Sequence, residues 1–327
     1  MPKRLNPNKM IMKRLFLFIS LLAAVAVTGQ ERIEPIPFGD MEQWVVRYIK
    51  ESRIIGGKTR VLYAIAPTDT IRKNVAFDYE KSGSPWTVSS AYARVKGIEK
   101  ASGTVSPERR GKGWCCRLDN KMDSVIAIGL FKVRVMVAGT IFTGVTLEPV
   151  TSAEDPYGVV DMGVAFTKRP IAMMLDYKAK VEESNEIAYA QAKPKVTWKK
   201  GRDAAEMYII LQRRWEDKDG NLHATRVATG YERVYHSTDW KNDHRIPIYW
   251  GDAITRQSGY KDYMGLNAHI MKARNSKGEM TQVKEEGYSE ENPTHMIIVC
   301  SSGCYEAFVG HPGNTLWVDN IRLVYKD

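Results

Sequence analysis

Apolar and polar residues alternate along much of this chain with a two-residue period, and no stretch sustains the 3.6-residue period of an amphipathic helix. Val61 to Ile65, after Gly56-Gly57, reads as a strand, and the apolar run Ile126 to Val137 as a longer one. The strongest local signal is Glu206 to Trp215, followed by Asp217-Lys218-Asp219-Gly220-Asn221 and then Leu222 to Thr229. Strand, Asp-Gly-type turn and returning strand predict a hairpin. His295 to Cys300 and Thr315 to Tyr325 predict two further strands, separated by the glycine-rich stretch 301–314. Asp252 to Lys261 offers at most one short helical turn. Many strands at irregular intervals, joined by long loops, predict an all-β fold, a β-sandwich of the jelly-roll kind.

The closing strand, TLWVDNIRLVY, is apolar on both faces. Strict alternation puts Trp317, Ile321, Leu323 and Tyr325 on one face and Leu316, Val318 and Val324 on the other. Asp319 and Asn320 interrupt it, and a carboxylate inside a covered sheet is costly unless hydrogen-bonded, paired or solvated.

The N-terminus changes the meaning of the overall charge. Lys13 and Arg14 precede Leu15 to Val27, and Thr28-Gly29-Gln30 follow, the pattern of a secretory signal peptide cleaved after Gly29. The run is too short to span a bilayer comfortably. No cysteine lies near the cut, so an exported protein, periplasmic, cell-surface or secreted but not a lipoprotein, is expected. Residues 30–327 then form a single β domain. Removing 1–29 takes away Lys3, Arg4, Lys9, Lys13 and Arg14, and the net charge falls from +10 to +5. The remaining basic residues are dispersed, which disfavours nucleic acid as a partner.

Catalytic signatures are thin: HExxH, GxSxG and phosphate-cradling loops are all missing. The Asp217 to Asn221 segment has its glycine in the wrong register for a calcium loop, so a hairpin turn explains it better. A glycosidase needs two facing carboxylates, for which Asp176, Glu206, Glu216 and Asp319 are the strand-borne candidates. His236, His244 and His269 are scattered. Cys115, Cys116, Cys300 and Cys304 lack zinc spacing, and one disulfide or buried free thiols is the expectation. The long loops carry aromatic rings, Trp86, Trp240, Tyr249, Trp250, Tyr260 and Tyr263, which could stack on sugars or form a satellite core.

Phe38 to Trp44 and Val318-Asp319-Asn320 are similar to the opening and closing strands of carbohydrate-binding jelly rolls. In several of those, acids from both ends hold a structural calcium. By that likeness Asp40, Glu42 and Asp319 are the candidate calcium set, although hydrogen bonding of Asp319 to loop amides is the favoured reading. PTHMIIVCSS (from Pro293), GNTLWVDNIRLVY, VAGTIFTG (Val137 to Gly144), FTKRP (Phe166 to Pro170) with Asp176-Tyr177-Lys178, and Trp86 after Pro85 run in the order of a known family. The chain resembles the putative carbohydrate metabolism domain of Bacteroidetes. The resemblance implies a jelly roll similar to carbohydrate-binding modules, in secreted or surface proteins tied to glycan use, and no established reaction. Where that family has a serine-rich segment, this chain has Ser301-Ser302-Gly303-Cys304-Tyr305, with Cys304 placed to cross-link the loop to Cys300. The leading expectation is a non-catalytic glycan-binding protein with Trp86, Tyr177, Tyr305 and Phe308 as sugar-facing rings and Arg169 and Asp176 as polar partners. A glycoside hydrolase or lyase using two of the acids, and an adhesin-like protein with a surface-protein partner, are the alternatives.

Overall fold

A computed structural model describes residues 30–127, 131–152 and 154–327. The expected signal peptide lies outside the described residues. Helical structure among them is confined to 3-10 turns such as Ala253–Arg256, inside the segment where a short turn is expected.

Ten strands frame the molecule: β1 Val105–Arg110, β2 Gly113–Asp119, β3 Thr140–Thr146, β4 Ala172–Lys180, β5 Ala205–Glu216, β6 Leu222–Val234, β7 Thr238–Pro247, β8 Met280–Tyr288, β9 His295–Ser301 and β10 Thr315–Lys326. The smaller main sheet runs β7-β4-β10-β2-β1, and the larger runs β3-β9-β5-β6-β8, with β6 and β8 parallel. The two sheets face each other across one apolar core, and the fold is a β-sandwich of the jelly-roll kind. The smaller sheet supplies Cys116, Leu118, Met173, Leu175, Tyr177, Leu316 and Val318 to that core; the larger supplies Ile141, Met207, Ile209, Leu211, Ile298 and Cys300.

Strand β5 is buried on both faces over its first eight residues, because Tyr208 and Ile210 enter a second apolar cluster behind the larger sheet. That explains an apolar run where simple alternation would show only half as many apolar positions. The β5–β6 hairpin pairs Glu216 with Leu222, and Asp217 Oδ1 accepts the N–H groups of Asp219 and Asn221 at 2.9 Å each. The Asp217 segment is therefore the turn expected. The apolar run 126–137, by contrast, is divided between two antiparallel strands, Lys121–Ala127 and Phe131–Val137, and the residues between them lie outside the described set.

The closing strand corrects the alternation expected of it. Asp176 pairs with Asp319 but Met174 with Arg322, so β10 carries one extra residue, and Asn320 there has φ 52°. Such a bulge flips the parity of everything beyond it. Leu316 and Val318 before it, and Ile321, Leu323 and Tyr325 after it, therefore share the core face, while Trp317 points outward.

The predicted meeting of the two chain ends is present, but backbone makes it. Ile321 N–H donates to Gly39 O at 2.8 Å, and Ile36 N–H donates to Ile321 O at 3.2 Å. A Cβ on Gly39 would lie 2.6 Å from Ile321 O, so only glycine fits. Residues 33–325 form one compact unit; in the other, Arg32 Nε donates to Asp327 Oδ1 at 3.3 Å.

Candidate functional site

The outward face of the smaller sheet is polar and built in rows. Lys178, Trp317 and Arg117 pair across β4, β10 and β2, and the next outward row holds Asp176 and Asp319. Lys178 Nζ lies 4.9 Å from the Trp317 ring centroid, and the Arg117 guanidinium 5.4 Å from it.

Beside Trp317 is a hollow of about 410 Å³ lined by Arg117, Asp119, Asn120, Lys180, Asn314 and Trp317 among others. Two buried donors among these residues have no partner: Trp317 Nε1 and Asn314 Nδ2. The Asn314 amide is oriented by its other end, because Oδ1 accepts the Glu182 N–H at 2.9 Å. Around it, Asn314 O accepts the Asn120 N–H at 2.9 Å, and Gly313 N–H donates to Asn120 O at 3.1 Å. Behind it Asp203 accepts N–H groups from Ala204, Cys304 and His311 and the Asn120 amide, at 2.7 to 2.9 Å. Burial raises the Asp203 carboxyl despite those donors. The glycine-rich loop is thus pinned, and Asn314 Nδ2 is held in place rather than free to find a partner. The other unpartnered buried atoms, such as Arg47 Nε, Tyr79 OH and Arg214 Nη2, are not among the lining residues of this hollow. A second hollow, of about 420 Å³ beside Lys100 and Asp123, has no such atom in its lining.

Asp176 and Asp319 lie next to this hollow, bridged by Arg110. Its Nη1 donates to Asp176 Oδ2 at 2.8 Å and to Asp319 Oδ2 at 2.5 Å, which limits the separation of those oxygens to about 5.3 Å. Arg110 Nη2 donates to Asn242 Oδ1 at 2.7 Å, and its guanidinium stacks 4.0 Å from the Trp240 ring centroid. Burial, joined by the Asp176 charge, pushes the Asp319 carboxyl up to about 6, against the pull of Arg110. Burial acts on Asp176 as well. There the Asp243 N–H, the Asn320 amide and Arg110 outweigh it, and that carboxyl stays below its ordinary range. The shared cation makes this an ion-pair bracket across three strands.

The calcium set is corrected. Asp319 is bound to Arg110, Glu42 Oε1 accepts the Trp114 N–H at 3.0 Å, and Asp40 Oδ1 accepts the Glu42 N–H at 3.5 Å. No group of three or more potential metal-ligating side chains occurs among the described residues, so this donor set does not fit a cation. The expected sugar-facing rings are corrected in part. Trp86 and Tyr177 are fully buried in the core between the sheets, which leaves neither ring a face for a ligand. Tyr305 is 38% exposed and Phe308 half-buried, on the loop that carries Asn314. Arg169 lies elsewhere, 3.6 Å from the Trp250 ring centroid, donating to Glu290 O at 2.9 Å. Among the other acids considered, Glu206 is buried, accepting from Tyr231 OH at 2.6 Å and Arg233 Nε at 2.8 Å, while Glu216 holds Ser276. All four cysteines are free, so Cys304 does not cross-link to Cys300. Sequence reasoning missed Trp317, Asn314, Arg117 and Lys178 as a group. The available signal was Trp317 at the same parity as two cations, which the hidden bulge obscured.

A family model described as "Putative carbohydrate metabolism domain" matches residues 65–324, which include the whole outer face described above. The chain belongs to this family. Its membership ties the putative carbohydrate metabolism domain to a jelly-roll sandwich and to a role in carbohydrate metabolism. No protein of curated function matches the sequence. Among solved structures, a putative glycoside hydrolase from Bacteroides vulgatus ATCC 8482 is similar at 14% identity and TM-score 0.39, over 90% of this chain and 96% of that one. That likeness is too distant to bear on fold or activity. No helix among the described residues is long and apolar enough to cross a membrane.

Proposed function

We propose that this protein binds carbohydrate, without turning it over, at the outer face of the smaller sheet around Trp317. One observation carries the reading: Trp317 and Asn314 line one hollow, and the buried Nε1 of the first and Nδ2 of the second both lack an acceptor in the protein. A buried donor left unmet costs about 1–3 kcal/mol. Sugar hydroxyl and ring oxygens are acceptors of the kind that both donors lack. The residues around the hollow come from β2, β4, β10 and the pinned loop, so the surface is preformed and little ordering is needed on binding. Export, read from residues 1–29, would place the protein where extracellular glycans are found.

The test is a glycan panel read with wild-type protein, Trp317→Phe and Asn314→Asp. Phenylalanine keeps the ring and removes its donor; aspartate keeps the acceptor for the Glu182 N–H and removes the amide donor. Each variant is expected to weaken binding about tenfold. Equal binding by all three proteins would remove the site assignment.

Hydrolysis by Asp176 and Asp319 is the second reading, because two of their oxygens are no more than about 5.3 Å apart and their protonation is split. Arg110 fills the space between them, which disfavours a sugar there. Release of reducing ends from polysaccharides, abolished in Asp319→Asn, would establish hydrolysis in place of binding.

A further inference from the structure

The groups left unmet around Trp317 are all of one kind. Trp317 Nε1 and Asn314 Nδ2 are donors, and a third donor sits over the same ring. Lys178 Nζ, 4.9 Å from the Trp317 ring centroid, makes no ion pair with a carboxylate among the described residues. Its neighbours are matched. Arg117 pairs with Glu108 at 2.8 Å and Asp119 at 3.0 Å, Lys121 with Asp119 at 3.2 Å, and Lys180 with Glu182 at 2.6 Å. Arg117, Lys121 and Lys180 each have a carboxylate partner, as Arg110 has in Asp176 and Asp319, and Lys178 is the cation of this face without one.

Resting on the carbohydrate reading above, we infer that this site selects an acidic glycan, one whose sugar ring carries a carboxylate or a sulfate ester. A neutral sugar would answer the two orphan N–H groups but leave the Lys178 ammonium without a counter-charge. An anionic substituent supplies both acceptors and charge, and charge-assisted hydrogen bonds are roughly twice as strong as neutral ones. Lys178 is fixed in this role by its register opposite Trp317 on β10, and its half-buried stem lies along the sheet. Lys180 and Lys121, more exposed and already paired, tune the approach of the anion.

Matched pairs of oligosaccharides separate the two sources of negative charge. Oligogalacturonate against its fully methyl-esterified form reads the carboxylate; sulfated carrageenan oligosaccharide against its desulfated form reads the sulfate ester. Titration calorimetry on the chain lacking residues 1–29 is expected to show one acidic member binding about tenfold more tightly than its neutral counterpart. That preference should shrink with added salt. It should vanish in Lys178→Met. Equal affinity for both members of each pair, or a preference that survives Lys178→Met, would overturn acidic selection while leaving carbohydrate binding in place. Binding of other, neutral glycans alone would do the same. No binding by any glycan would overturn both readings.

Discussion

The two outward faces of the sandwich differ in how their central polar groups are matched, although the larger sheet too leaves a buried donor, Arg214 Nη2, without a partner. Behind the larger sheet, Phe142, Tyr208, Ile210, Val283, Ile297 and Val299 form a second apolar cluster, and a fully buried ion pair lies beside it. Arg226 Nε and Nη2 each donate to Glu285 at 2.5 Å, and the remaining donors reach Thr229 Oγ1, Met264 O and Gly265 O. Glu285 also accepts from Gln212 Nε2 at 2.7 Å and the Asn267 N–H at 2.9 Å. On the smaller sheet's face, charges remain partly solvated and two buried donors stay unmet. A saturated ion pair holds the 262–267 segment to the sheet; an unsaturated hollow is where an outside molecule gains something by binding.

The comparison is broken most forcefully at Arg226. Arg226→Met strands Glu285 without its partner, and urea unfolding should show a loss of about 3–5 kcal/mol. Trp317→Phe, by contrast, should move stability by no more than about 1 kcal/mol, since an unmet donor is removed. Equal losses would mean that both faces are simply core. Next in size is Gly39→Ala, whose new methyl meets Ile321 O; a cost of about 1–3 kcal/mol in the same assay would confirm the junction of the chain ends. Wild-type stability at that position would show the junction to be slack.

The smallest effect concerns pH. Asp319 titrates near 6 in the folded protein and near 3.8 unfolded, so the folded state holds its proton more tightly. Its contribution therefore becomes more favourable as pH falls from about 6 towards 4, opposite to the usual behaviour of a paired carboxylate. Asp176, held below its ordinary value, contributes stability above about pH 4 that is lost on further acidification. Comparing stability profiles of wild type and Asp319→Asn over pH 4–6 isolates the Asp319 component. An unchanged slope would show that Arg110 holds Asp319 ionised throughout.

Much of the scaffold is legible in the order of residues alone. The β5–β6 hairpin announces itself because Asp217 both closes the turn and cannot extend a strand. The meeting of Phe38–Trp44 with the last strand is also visible there, although its chemistry is not: a glycine backbone, rather than an acid, makes the contact. The site is much less legible. A bulge costs one residue and leaves no apolar signature, so strict alternation turns Trp317 towards the core and Leu316 away from it. Loop aromatics carry no mark of burial, so Trp86, a core residue, looks like a platform for sugar. The orphan donors at Trp317 and Asn314 depend on what does not reach them in three dimensions, and no spacing encodes that.

The most direct test reads the Trp317 indole itself. Its N–H resonance can be assigned by its disappearance in Trp317→Phe, and then followed while the tightest-binding glycan of the panel is added. The account predicts a saturable shift of that resonance with the same midpoint as binding measured by calorimetry. Saturable glycan binding with the Trp317 N–H resonance unmoved would contradict it.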